Sequence, residues 1–194
     1  MQNFWLYFEI GWKHICDWQG YDHILFVTVL CGIYLLKDWR KILILVTAFT
    51  IGHTITLGLS VYNLVKIPTN LVEFLIPVTI LITAVSNMTR RSFEVRKIKL
   101  NYFLALLFGL IHGMGFSNYL KSMLGKNSTI IAELFAFNIG LEVGQITIVI
   151  LVLMLCYFVL NILKIKRREW NLFLSSAIFG IALVMAIERF STLM

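Results

Sequence analysis

Apolar residues fall into six blocks, near 21–37, 41–63, 71–89, 100–120, 131–163 and 170–190. Each approaches or exceeds the roughly 20 residues that one helix needs to cross the hydrocarbon core of a bilayer. The fifth is the longest, which predicts a helix that tilts or projects from the membrane. Pro68 marks the turn between the second and third blocks, and Pro77 predicts a kink within the third. Ahead of the blocks, residues 1–18 place Trp5, Phe8, Trp12 and Ile15 at helical spacing, with Glu9, Lys13 and Cys16 elsewhere on the wheel. A short aromatic, amphipathic helix of this kind is expected to lie in the membrane interface. The pattern predicts an all-α fold in which residues 1–194 form one transmembrane domain, a bundle of six transmembrane helices preceded by an interfacial segment.

Composition agrees with that reading. Hydrophobic residues make up 59% of the chain and charged residues 14%, against about 25% charged in soluble domains. A net charge of +7 would fit a nucleic-acid partner, but its distribution excludes one. Twelve of the seventeen basic residues lie in three short loops: Lys37, Arg40 and Lys41; Arg90, Arg91, Arg96, Lys97 and Lys99; and Lys164, Lys166, Arg167 and Arg168. The positive-inside rule makes those loops cytoplasmic and puts both termini outside. The first twenty residues carry Glu9, Lys13 and Asp17 and no unbroken apolar core, so a cleavable signal peptide is not expected. Cys16, Cys31 and Cys156 show no CxxC spacing. The latter two read as small buried apolar residues, and Cys16 as an accessory ligand at most.

The candidate chemistry consists of polar groups inside apolar blocks. Asp22 and His23 stand side by side where the first block begins, and His53, His112, Asn138, Glu142 and Gln145 lie within others. Ionisable groups at such depth cost several kcal/mol unless paired, hydrated or coordinating. With that orientation, and a rise of about 1.5 Å per residue, His23 lies about 5 Å from the outer end of its span, His112 about 12 Å, and His53 and Glu142 about 15 Å. Such a graded series describes a vestibule open to the outside. Thr47, Thr50, His53 and Thr54 share a face of the second span. Asn138, Glu142 and Gln145 form a stripe on the fifth, beside the GxxxG pair Gly140 and Gly144. Each of these residues alone is accounted for by helix packing. Together, three imidazoles and two carboxylates point to one metal site built from His23, His53, His112, Asp22 and Glu142. His14, Gln145 and Asn138 are secondary candidates. Imidazole and carboxylate donors suit zinc, nickel, copper or iron, and clustered thiolates are missing.

Four stretches, GWKHICDWQGYDHILF, FTIGHTITL, FGLIHGMGF and FNIGLEVGQ, resemble the HupE/UreJ family of small membrane proteins associated with hydrogenase and urease nickel metabolism. The resemblance implies uptake or delivery of nickel or another divalent metal across a bacterial cytoplasmic membrane. It carries over His14, Asp22, His23, His53, His112 and Glu142 as the implicated residues. The partners expected are the lipid bilayer and the metal ion; a second copy of the chain or a metalloenzyme-maturation protein stays open as another.

Three functions accommodate these residues. The leading one is a transition-metal permease or facilitator with its site open to the outer face. The alternative is a zinc-dependent membrane hydrolase, with three His ligands, an activated water, and Asp22 or Glu142 as catalytic base. Its substrate would be a lipid or lipidated peptide at the outer leaflet. The third is a scaffold whose polar stripes only join helices.

Overall fold

The computed structural model describes residues 2–18, 20–90, 98–117, 120 and 130–193, and among these every regular element is helical. Seven α-helices follow in order: α1 (Gln2–Cys16), α2 (Asp22–Cys31), α3 (Trp39–Val61), α4 (Thr69–Met88), α5 (Ile98–Gly115), α6 (Ile130–Tyr157) and α7 (Arg167–Ser191). A π-helical turn, Phe158–Ile162, extends α6. The breaks have local causes. Asn63 takes the left-handed conformation just past α3, at φ 59°, and Lys164 does so after the π turn, at φ 55°. Pro68, extended at ψ 129°, starts α4.

Among the described residues, four helical spans are long and apolar enough to cross a membrane: Leu36–Val61, Thr69–Met88, Ile131–Ile162 and Arg167–Ser191. The other two predicted crossings are shorter apolar helices, Asp22–Cys31 and Asn101–Gly115. The block at 21–37 does not give one continuous span, because α2 stops at Gly32 and the chain is extended by Leu35. Arg91, Arg96 and Lys97 of the predicted cytoplasmic loop lie outside the described residues, as do residues 118 and 119 of the block at 100–120. The bundle is apolar outward. Ile44, Ile51, Ile55 and Leu59 form an exposed stripe on α3, and Ile150, Leu151, Met154 and Phe158 do the same along α6. Buried Phe26, Phe49, Phe108, Phe137 and Leu141 fill the centre.

Packing is organised by two glycine crossings. A Cβ at Gly52 would strike the Leu106 carbonyl on α5, and one at Gly109 would strike the Phe49 carbonyl on α3. In the same way, a Cβ at Gly11 would strike the Phe137 carbonyl on α6, and one at Gly140 the Phe8 carbonyl on α1. Each glycine therefore lies against the carbonyl three residues before its partner glycine. Only a residue without Cβ lets backbones approach this closely. Both pairs are parallel, since Gly113 follows Gly109 onto His53 and Thr56, and Gly144 follows Gly140 onto Trp12 and Ile15.

The two pairs run in opposite directions. Thr54 on α3 meets Asn138 early in α6, whereas Thr47 meets Glu142 further along. α4 and α7 form a third, antiparallel pair, with Asn70 bonded to the Thr192 carbonyl at one end and Asn171 to the Asn87 carbonyl at the other. The motif G-x-x-H recurs at Gly11–His14 and Gly109–His112, and F-x-I-G at Phe49–Gly52 and Phe137–Gly140. Taken with the directions, α1, α3 and α4 correspond to α5, α6 and α7 turned over.

This arrangement also relocates α1. Residues 2–16, expected to lie in the interface, instead pack lengthwise on the first half of α6, with Ile15 reaching Gly144. α2 continues along the second half, where the Cys156 thiol faces the Gly32 carbonyl. The two short helices in tandem match the length of one long one, with a break between Cys16 and Asp22.

Candidate metal centre

The break between α1 and α2 is where the imidazoles gather. The α1 glycine crossing brings His14 inward, and α2 starts beside it with Asp22 and His23. The His14 and His23 rings lie 4.6 Å apart, His14 and His53 6.0 Å, and His23 and His112 5.0 Å. One ligand atom from each of His14, His23 and His53 can be chosen so that all three fall within 4.8 Å of one another. His53 is fully buried and His112 and His23 nearly so; His14 is half-buried.

Hydrogen bonds fix how two of these rings present themselves. His112 Nδ1 lies 2.8 Å from the Phe108 carbonyl. A carbonyl only accepts, so the proton sits on Nδ1 and the lone pair is on Nε2. His23 Nδ1 lies 3.0 Å from an Asp22 carboxylate oxygen, with the same consequence. That Asp22 oxygen also accepts from the His23 backbone N–H at 2.9 Å, and the other lies 3.6 Å from the Arg189 guanidinium. The Nε2 atoms of His14, His23, His53 and His112, and Nδ1 of His53, are buried with no hydrogen-bond partner among the described residues. Leaving a polar atom buried without a partner costs about 1–3 kcal/mol. A shared cation satisfies several such atoms at once, and nitrogen donors of this kind fit a borderline divalent metal.

A cleft of about 930 Å³ reaches the group, bordered by Trp12, Asp17, Glu73, Ile76, Phe116 and Arg189. Its walls also include His14, Asp22, His23 and His112, while His53 sits behind them. Asp17 and Glu73 are exposed at its rim. Beneath lies an aromatic floor. Phe49 and Phe137 stack on either side of His53 at 6.1 Å, and the Phe116 ring covers His14 at 3.9 Å.

The structure thus brings together His14, His23, His53, His112 and Asp22. It places Glu142, Asn138 and Gln145 on a different seam, between α3 and α6. Thr47 donates to Glu142 at 2.8 Å, Thr50 to Gln145 at 2.9 Å, and Thr54 to Asn138 at 2.7 Å. The threonine stripe of α3 donates to an oxygen of each group on the polar stripe of α6, which holds Glu142 away from the imidazoles, while Gln145 Nε2 is buried without a partner among the described residues. The Cys16 thiol faces the Gly144 carbonyl at 3.9 Å. Spacing ranked His14 second to the others, although the copy of G-x-x-H at Gly109–His112 was a signal for it. Arg189 was missed altogether. Its signal is position, because it is one of the few basic residues away from the three basic loops.

The model of the HupE / UreJ protein family matches residues 1–189. No curated protein and no solved structure was found to match the chain.

Proposed function

The chain belongs to the HupE/UreJ family, and from that premise and the imidazole cluster we propose a membrane permease or facilitator for a divalent transition metal, nickel first. One observation carries the reading: His14, His23 and His53 can bring ligand atoms within 4.8 Å of one another below an open cleft, with the His112 ring beside His23 at 5.0 Å. Several nitrogen donors suit Ni(II), which favours nitrogen-rich tetragonal coordination. Asp17, Asp22 and Glu73 outnumber Lys13 and Arg189 around the cleft, a balance that favours cations. Deeper in, neutral imidazoles replace the water that the cargo sheds. Asp22 holds His23 in the ligating tautomer and supplies negative charge nearby, the usual role of a carboxylate behind a metal-binding histidine. The aromatic floor holds the cargo at this level.

The finer topology belongs to the same proposal. The chain makes six crossings of a bacterial cytoplasmic membrane, the first by α1 and α2 in tandem. The cleft opens outward, both termini are outside, and the loops carrying Lys37 and Lys164 are cytoplasmic. A hydrolase is disfavoured by the two carboxylates it would use as base. Asp22 is engaged by His23 and Arg189, and Glu142 by Thr47 on another seam.

Purified protein in liposomes enclosing a nickel-sensitive dye tests the proposal, with equilibrium dialysis against radioactive nickel alongside. The expected results are saturable binding of about one ion per chain, inward flux, and loss of both in His53→Ala. Tight retention of one ion without flux under any gradient would overturn transport in favour of the enzyme.

A further inference from the structure

Below the histidines, α2 and α5 run antiparallel and present matched levels. Phe26 on α2 and Phe108 on α5 are almost fully buried, with ring centroids 5.3 Å apart, and Phe49 lies 5.2 Å from Phe26. One turn further from the cleft, Leu30 and Leu104 border a crevice of about 10 Å³ together with Thr83, Ser86, Asn87 and Asn101. Beyond it, Asn101 donates to the Tyr34 hydroxyl at 3.1 Å and accepts from Arg90 at 3.3 Å. Asn87 donates to the Val29 carbonyl and Thr83 to the Thr79 carbonyl, so these groups are paired in this state, and the same row of amides and hydroxyls can border a path for polar cargo when the helices shift. The packed rings of Phe26, Phe49 and Phe108 separate them from the imidazoles.

The repeat described above supplies a way to part that contact. α1 with α6, and α3 with α5, are each joined at backbone distance by glycine and behave as two solid bodies. They meet across the hydroxyl–amide seam of Thr47, Thr50 and Thr54 with Glu142, Gln145 and Asn138. Such hydrogen bonds can exchange partners as the bodies shift. When two halves of a chain are related by inversion, exchanging their conformations gives the same fold open to the opposite side. His14 and His112 occupy corresponding positions, three residues past Gly11 and Gly109, so the site stays central while the barrier changes sides.

We infer that cargo leaves along the row between α2, α4 and α5, with the Phe26–Phe108 contact as the gate that opens when the inverted halves exchange conformations. The inference rests on the transport reading and adds to it the inward route and its barrier. Arg90 swings away from Asn101 as the route opens.

The test uses full-length protein with Cys16, Cys31 and Cys156 changed to alanine, carrying Phe26→Cys and Phe108→Cys together. A bifunctional methanethiosulfonate bridges the two introduced thiols, each thiolate forming a disulfide with the linker and releasing methanesulfinate; a reductant reverses the link. The expected result is that the cross-linked protein binds nickel as the cysteine-free parent does but carries no flux, and that reduction restores flux. Undiminished flux in the fully cross-linked protein overturns the gate while leaving transport standing. Absence of flux in the parent overturns the transport reading itself, and the route with it. A single Leu104→Cys variant covers failure of the double variant to fold or link. During nickel flux its thiol should react with an impermeant maleimide on the cytoplasmic side, and lack of reaction with flux intact overturns the route.

Discussion

At the scale of single residues, the division of labour between Asp22 and Glu142 is sharp. Asp22 touches an imidazole through Nδ1, whereas Glu142 touches a threonine across a helix seam. Asp22→Asn keeps the shape but loses the charge and the proton preference. Carboxylates behind metal-binding histidines typically contribute 10–100-fold in affinity, so nickel binding should weaken by about that factor in equilibrium dialysis. Glu142→Gln should leave affinity unchanged. Wild-type affinity should also fall in acid, because an imidazole must lose its proton to ligate. Binding that persists unchanged at a pH where every imidazole is protonated would count against imidazole ligands. His23, His53 and His112 were legible from sequence because a titratable group in an apolar run has few reasons to be there. Which carboxylate they would meet was not, since that depends on side-chain pairing across helices far apart in the chain.

At the scale of elements, the glycine crossings decide which helices touch. Gly109 lies against the Phe49 carbonyl, whereas nothing approaches a Cβ at Gly180 within 4 Å. Gly109→Val forces α3 and α5 apart and should destabilise the protein by several kcal/mol, beyond the 1–3 typical of overpacking in a core. Gly180→Ala should be neutral or stabilise by up to about 1 kcal/mol, since alanine is the better helix former. Thermal unfolding in detergent, followed by intrinsic fluorescence, compares the two; equal melting temperatures would mean that the crossing does not hold the pair. Long apolar runs made α3, α4, α6 and α7 readable from hydropathy alone. The packing partner of α1 was not legible, for a physical reason. Its aromatic face and its charged face look the same whether the apolar side meets lipid or another helix, and the partner lies 129 residues away, at Gly140.

At the scale of the whole molecule, the proposed orientation puts the basic loops in the cytoplasm and the cleft outside. In intact cells, with the native cysteines replaced, Lys37→Cys and Lys164→Cys should resist an impermeant maleimide, whereas Leu64→Cys, exposed at the far end of α3, should react. Labelling of the first two from outside would invert the topology. The inverted relation between halves was hidden in sequence because only a few positions repeat, and turning a helix over leaves its hydropathy unchanged.

The break in the first crossing also bears on how the protein is made. α1 and α2 offer no unbroken apolar run of crossing length, and the surface that α1 needs belongs to α6. At ~5–20 residues per second, the chain between Gly11 and Gly140 takes on the order of ten seconds to synthesise. Throughout that interval the amino-terminal helix has no glycine partner to lie against. The imidazole cluster is therefore assembled late, after α6 has left the ribosome, and a nascent chain stalled before α6 holds no complete site.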